Sequence, residues 1–526
     1  MLKKRVFYST VIFLFFIIVF LPLVLVFGSS FKEIGSALSS FNMNSLKEKF
    51  VIISNSFAIA FFTSLFSLII GAPLAFLFSR TNLYFRRIIK FLCIIPFFIP
   101  PYIQAYAWIF ILGKKGFLNT ALMKIFSMQE PIFTIYGIKG VIFVLTLSYF
   151  PVVMFLISIG LESADPTLED ACSLYRSKLG VTRWITFPLV SPYLIAGIIF
   201  TFIFAFSQFG VSALLEVRSY SVDLFAQISS FYNESRAALN SLPILLFILF
   251  LIVFLSRKWE KGFFAIFITK DRKRFVKLGN WGQALGLIFS LLVIFLSFAL
   301  PIGELMFQSR SLKVIIAALK ASAKPIITSF LLAFISASLI VILSLILSSL
   351  LNKSKFSLFF RIAAILPLGI PGSILGLGLI KLWNNELTGF IYSSFLIIII
   401  VYIARFIPYG ILALYSNLKQ VDNNLQDAAA LSGASQFKMN RDILIPLLKP
   451  GIKFAWVITF ILCLGELSST VLVVPPGHET LSLRIYSLMH YGESSLIAAA
   501  SLIPLLLSLS GFLFIKIIFA KVKRWR

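Results

Sequence analysis

Long apolar stretches recur along the chain, separated by short polar segments that carry most of the charge. Each is long enough, at about 1.5 Å rise per residue, to cross a hydrocarbon core of about 30 Å as a helix. The pattern predicts twelve spans: Val6–Phe27, Val51–Ser79, Ile88–Leu112, Ile138–Leu161, Val190–Leu215 and Leu242–Phe267, then Gln283–Phe307, Pro325–Leu351, Arg361–Leu382, Phe390–Tyr415, Lys449–Val474 and Leu496–Phe519. The first run follows Lys3, Lys4 and Arg5, and is too long for the apolar region of a signal peptide, so it is expected to be a retained span.

Composition removes the alternatives. Hydrophobic residues make up 59% of the 526 positions and charged residues 13%, which leaves too little polar surface for a water-soluble body of this size. The expectation is an all-α polytopic membrane protein. A net charge of +27 suits nucleic acid in a soluble chain, but here it fits cationic loops held on the cytoplasmic side, so no nucleic-acid partner is expected. Lys and Arg favour the segments placed inside by a cytoplasmic N-terminus by roughly two to one, which puts both termini in the cytoplasm. Arg310–Lys324 runs against that bias. Cys93, Cys172 and Cys463 are scattered singly and form no framework.

The spans repeat. Glu169-Asp170-Ala171 matches Asp427-Ala428-Ala429, and the same spacing pairs Pro188 with Pro446, Pro192 with Pro450 and Gln208 with Glu466. Upstream, Pro96 and Pro100 match Pro367 and Pro371, and Ser56-Phe57 matches Ser329-Phe330. Two six-helix units are expected, 1–269 and 283–526, joined by a basic cytoplasmic linker at 270–282. Six is even, so the units insert in the same orientation, related by an axis along the membrane normal.

The segment after span four has an acidic residue, small residues on one face, a break, a second short helix, and a proline pair leading into the next span. Its counterpart after span ten repeats the arrangement. In the second copy the acid, small residue, glycine and proline fall at Asp427, Ala429, Gly433 and Pro446; in the first, Glu169, Ala171 and Pro188 fit, while Tyr175 replaces the glycine. This pattern resembles the EAA loop of binding-protein-dependent ABC importer permeases, over nearly the whole chain. The resemblance implies that each loop is a coupling helix docked on an ATPase subunit, with two ATPase copies, and an extracytoplasmic substrate-binding protein on the outer face. It also implies a multi-pass protein of a bacterial inner membrane. Gly465 to Thr470, Pro475-Pro476-Gly477 and Tyr486 with His490-Tyr491-Gly492 are most similar to the iron(III) branch; a thiamine importer shares the layout, phosphonate or an oxyanion is an alternative solute, and an ion-coupled twelve-span transporter, then a membrane-embedded enzyme, are the rival readings. At Gly433 the missing Cβ allows either positive φ or close helix contact.

No G-x-x-x-x-G-K-[ST] run is present, so ATP binding is assigned to a partner chain and the protein is not expected to be an enzyme. No cofactor, metal site or catalytic constellation is expected; His478 and His490 read as polar loop residues. Ionisable residues in spans are expensive and face a cavity or a partner. Arg405 and Glu466, with Gln208 as the counterpart of Glu466, are the candidate path residues, and a helix–helix hydrogen bond is the other reading of them. Glu304 sits near the outer end of span seven. The paired prolines imply kinks, near the path or for packing alone.

Overall fold

The structure is a computed structural model that describes residues 2–31, 43–164, 166–259, 276–353, 362–419, 421, 425, 428–429, 431–433 and 435–523. Among these residues it is helical throughout, with no strand beyond a single bridge between Thr81 and Val276. Ten unbroken helices are long and apolar enough to span a membrane: α1 (Ser9–Ser29), α2 (Lys47–Arg80), α5 (Ile138–Ser163), α6 (Thr182–Phe206), α7 (Glu234–Phe254), α8 (Asn280–Gln308), α9 (Ala323–Leu351), α12 (Phe395–Leu418), α13 (Asn440–Leu464) and α14 (Ser494–Phe514). Two bent helix pairs reach the same length and apolarity only when taken together, α3 (Arg86–Phe98) with α4 (Pro101–Phe126) and α10 (Ile362–Gly369) with α11 (Gly372–Trp383). Large apolar side chains such as Phe61, Phe66, Ile69, Ile288 and Leu292 stay exposed on the outer helices, as a lipid-facing surface requires.

Each helix αn of the first half corresponds to αn+7 of the second, and the packing repeats with the sequence. In each half the second, fifth and sixth helices pack against one another: α2, α5 and α6, then α9, α12 and α13. The first helix of each half crosses over. α1 packs on α11 of the second half, and α8 packs on α4 of the first. Lys381 of α11 closes the first crossing, donating to Ser29 Oγ at 2.9 Å and pairing with Glu234 at 3.0 Å.

Proline chemistry shapes the spans in register. A π-turn precedes Pro22 in α1, Pro188 in α6, Pro301 in α8 and Pro446 in α13, in each case with the residue before the proline bonded five positions back. Proline has no N–H and its ring clashes with the carbonyl four residues earlier, so a locally widened turn accommodates it. The second short helix of each loop is therefore continuous with the following span: Lys178–Val181 runs through the π-turn into Phe187–Phe206, and Gln436–Met439 runs likewise into Ile445–Leu464.

At Ile88–Leu112 and Arg361–Leu382 the departure from expectation is one of degree, since the paired prolines imply kinks within two single spans. Both break, by 95° at Pro100 and by 108° at Pro371. Ile99 and Ile370, each preceding a proline, are extended, as steric conflict with the proline ring requires. A short 3-10 turn, Ile95–Phe98 or Leu366–Gly369, leads into each break.

Candidate functional site

The two breaks line one cavity. Pro100, Pro101, Pro367 and Ile370 line a cavity of about 120 Å³, with α5 and α6 of one half and α12 and α13 of the other around it. A cavity of that size holds several waters.

Gln208 and Glu466, expected inside helical spans, lie just beyond them. α6 ends at Phe206 and the chain turns through Ser207–Phe209 before Gly210–Leu214; α13 ends at Leu464 and turns before Thr470–Val473. Discontinuous helices at matching places aim freed polar groups at the same space, the arrangement by which membrane transporters build sites at depth.

Arg405 of α12 reaches this turn. Its Nε lies 2.9 Å from Glu466 Oε2, and its Nη1 donates to Ser469 Oγ at 3.2 Å. Glu466 Oε1 accepts from the Ser469 amide at 2.7 Å and from Ser468 Oγ at 3.1 Å. Glu466 is buried and Arg405 half-buried, both on the cavity wall. A buried pair needs such extra bonds to offset its desolvation. Room for the guanidinium comes from Gly372, the first residue of α11: a Cβ there would fall on Arg405 Nη1 and Ser468 Oγ.

The first half answers with neutral groups. Ser148 lies three residues before Pro151 in α5, as Arg405 lies three before Pro408 in α12. Ser148 Oγ donates to Gln104 Oε1 at 2.9 Å, and Gln104 Nε2 donates to the Pro96 carbonyl at 3.1 Å, fastening the first break to α5. The second half has Leu375 in that place. Tyr149 OH donates to Gln208 Oε1 at 3.4 Å. Sequence reasoning missed Gln104, Ser148 and Gly372; the duplication offsets, followed through the prolines, would have found Ser148.

A second, apolar cavity of about 270 Å³ adjoins the first and is lined by Phe97, Phe155, Phe204, Tyr409, Phe454 and Phe512. Two stacked ring pairs cross between the halves here, Phe204 with Tyr409 and Phe155 with Phe454, at centroid separations of 5.8 and 5.3 Å.

The loop residues form a separate cluster. Glu169 is buried and takes a two-bond contact from Arg80 at the end of α2, Nη1 to Oε2 at 2.9 Å and Nη2 to Oε1 at 3.0 Å, while Thr186 Oγ1 donates to Oε1 at 2.8 Å. The acid is thus paired inside the chain. Ala171 and Pro188 are exposed, and Tyr175 is 88% exposed beside exposed Leu174. In the second loop Ala429 is buried, Pro446 half-buried, and Gly433 takes φ +73° with open space where a Cβ would stand. Of the two reasons for glycine there, left-handed backbone is the operative one. Tyr175 is not among the positive-φ residues; its amide bonds to the Cys172 carbonyl at 3.1 Å, so the first loop turns without a left-handed residue. Asp427 lies outside the described residues. His478 stacks edge-on against Phe395 and His490 against Tyr486, Glu304 accepts from Gln308 at 2.8 Å, and no group of His, Cys, Asp and Glu that would hold a metal occurs among the described residues.

Residues 340–524 match the family described as binding-protein-dependent transport system inner membrane component. Over 88% of both chains the protein is 22% identical to the Fe(3+)-transport system permease protein FbpB 2 of Haemophilus influenzae. It is 24% identical to the ferric transport system permease protein FbpB of Actinobacillus pleuropneumoniae, over 96% of this chain and 77% of that one. A shorter stretch, 20% of this chain and 39% of the relative, is 36% identical to the spermidine/putrescine transport system permease protein PotC of Escherichia coli.

Proposed function

We infer that this chain, a fused tandem permease of the binding-protein-dependent ABC type, is the membrane subunit through which an importer passes iron(III). The observation that carries the reading is the duplicated loop, Glu169 to Pro188 and Ala429 to Pro446, placed after matching helices of two similarly packed halves. Full-length similarity to ferric permeases supports the cargo, and the family match over the second half supports dependence on a binding protein. The units run 1–269 and 283–526 with the basic linker 270–282 between them, both termini cytoplasmic. Each loop docks one ATPase subunit, through exposed Leu174 and Tyr175 in the first and Leu431 beside Gly433 in the second. ATP-driven closure of that pair moves the loops, and α6 and α13, continuous with them through the π-turns, carry the motion to the turns that hold Gln208 and Glu466.

Mild detergent extraction with an affinity tag on this chain tests the assembly, and proteoliposome uptake tests the cargo. An ATP-binding subunit should co-purify at about two copies per chain, and radioactive iron(III) offered on the binding protein should enter only with ATP inside the partner's compartment. Uptake driven by an ion gradient with no ATPase subunit present would overturn the reading; ATP-driven uptake of spermidine or thiamine in place of iron would overturn the cargo alone.

A further inference from the structure

We propose that the central cavity recognises an oxyanion, a carboxylate or phosphate group that accompanies the metal, and that Arg405 is its principal contact. The proposal deepens the importer reading and rests on it for the word cargo, though not for the binding site itself.

The wall of the cavity is short of acceptors and supplied with donors. Its one carboxylate, Glu466, is fully engaged by Arg405 Nε, the Ser469 amide and Ser468 Oγ. Arg405 is not. Its Nη2 has no protein partner among the described residues, although the side chain lines the cavity. Ser207 Oγ, nine-tenths buried on the same wall, has no hydrogen-bond partner at all among those residues. Gln208, also on the cavity wall, uses its carbonyl oxygen on Tyr149, and its amide nitrogen has no protein partner among the described residues. A guanidinium with an open edge, an unbonded hydroxyl and a side-chain amide are the groups that take an oxyanion, and the guanidinium fork does so with two parallel bonds. A bare trivalent cation in the same place finds no free carboxylate, because Glu466 is already taken by Arg405, the Ser469 amide and Ser468 Oγ.

Glu466 has a second role in this scheme. With the cavity empty it neutralises Arg405, and an arriving anion competes with it for the guanidinium, so binding is kept reversible. The first half, with Ser148 and Gln208 at the corresponding places, supplies no charge, so the contact with the anion is one-sided.

The full chain, solubilised without an ATPase subunit, is followed by thermal unfolding with citrate, inorganic phosphate, iron(III)–citrate, and terbium(III) chloride as a hard trivalent cation free of oxyanion. Citrate, phosphate or iron(III)–citrate should raise the midpoint in a saturable way, and terbium should not. Equal response to free and metal-bound citrate assigns the site to the oxyanion alone, and response only to iron(III)–citrate assigns it to the anion as carried by the metal; both support the proposal. Arg405→Gln should abolish the response. Ser207→Ala, which removes one hydroxyl, should weaken it about two- to fivefold. Glu466→Gln, whose amide oxygen still accepts from the Ser469 amide, should tighten it at least about fivefold. Absence of any anion response in the wild-type chain, an unchanged response in Arg405→Gln, or terbium stabilisation lost in Glu466→Gln would overturn it. Because no ATPase is present in the binding test, failure of the wild-type chain to take up cargo with ATP while anion binding is intact counts against the importer reading and leaves the site standing, whereas wild-type uptake by Arg405→Gln overturns the site's part in carrying cargo and leaves the importer.

Discussion

Arg80, the last residue of the second helix, grips Glu169 of the first loop through two parallel bonds, both side chains almost wholly out of contact with solvent. The two are 89 positions apart in sequence, and their pairing ties the loop to a spanning helix before any ATPase subunit arrives.

Removing one partner of such a pair leaves a buried charge, a loss of about 3–5 kcal/mol in soluble proteins. Arg80→Gln should therefore release the first loop, seen as faster proteolysis near Ser177 and at least about a tenfold drop in uptake with the protein still inserted. The double variant Arg80→Gln with Glu169→Gln should recover much of the uptake, since no lone charge remains. A double variant no better than the single one would mean that Glu169 acts on the ATPase and not on Arg80.

At Gly433 the requirement is for backbone conformation, with no neighbour to obstruct a side chain. Asn, which tolerates left-handed φ, should retain most uptake; Ala should lose about 1 kcal/mol of loop stability; Val should lose more and uncouple ATP hydrolysis from uptake. Tyr175→Ala should leave stability unchanged, because the ring is exposed, and weaken ATPase docking instead. Proteoliposome ATPase and uptake rates measured side by side read both effects, and equal behaviour of Asn, Ala and Val at 433 would refute the conformational account.

Gly372→Ala places a methyl group where Arg405 Nη1 and Ser468 Oγ already sit. Overpacking of this kind costs about 1–3 kcal/mol. Uptake should fall severalfold, and adding Ser468→Gly to the same chain should restore part of it. The check is uptake normalised to membrane-inserted protein.

Gln104→Leu copies into the first half the residue that the second half carries as Leu375. The Pro96 carbonyl and the Ser148 hydroxyl would each lose the bond to Gln104 while keeping a backbone partner, the Ile99 amide and the Val144 carbonyl, so two hydrogen bonds are lost and no group is left unsatisfied. A drop of about 1–3 kcal/mol, read as a lower unfolding midpoint in detergent, is expected. Leu375→Gln, its mirror, should give no gain.

Hydropathy made the helical class and the places of ten candidate spans and two bent pairs legible, and the duplication showed that the irregularities recur in register. That the kinks at Pro100 and Pro371 are near right angles was hidden, because the flanking residues stay apolar through the turn and a hydropathy window averages over direction. For the same reason Gln208 and Glu466 read as interior to spans that in fact end two residues earlier. The prolines did signal matching irregularities, but a proline permits a π-turn, a kink or a right-angled break, and the tertiary packing selects among them. Glu169 showed its acidity but not its partner, since a contact 89 residues distant leaves no local trace.

The crossing of α1 onto α11 also sets a timetable for biogenesis. Ser29 and Lys381, which hydrogen-bond at that crossing, are 352 residues apart in the chain. At about 5–20 residues per second, a ribosome needs roughly 20–70 s to supply the second after the first. For that interval α1 stands in the bilayer without the helix it will finally embrace, and the cell's insertion machinery must hold it there. Truncation between residue 269 and α11 therefore leaves the first half complete in sequence and its α1 crossing unclosed.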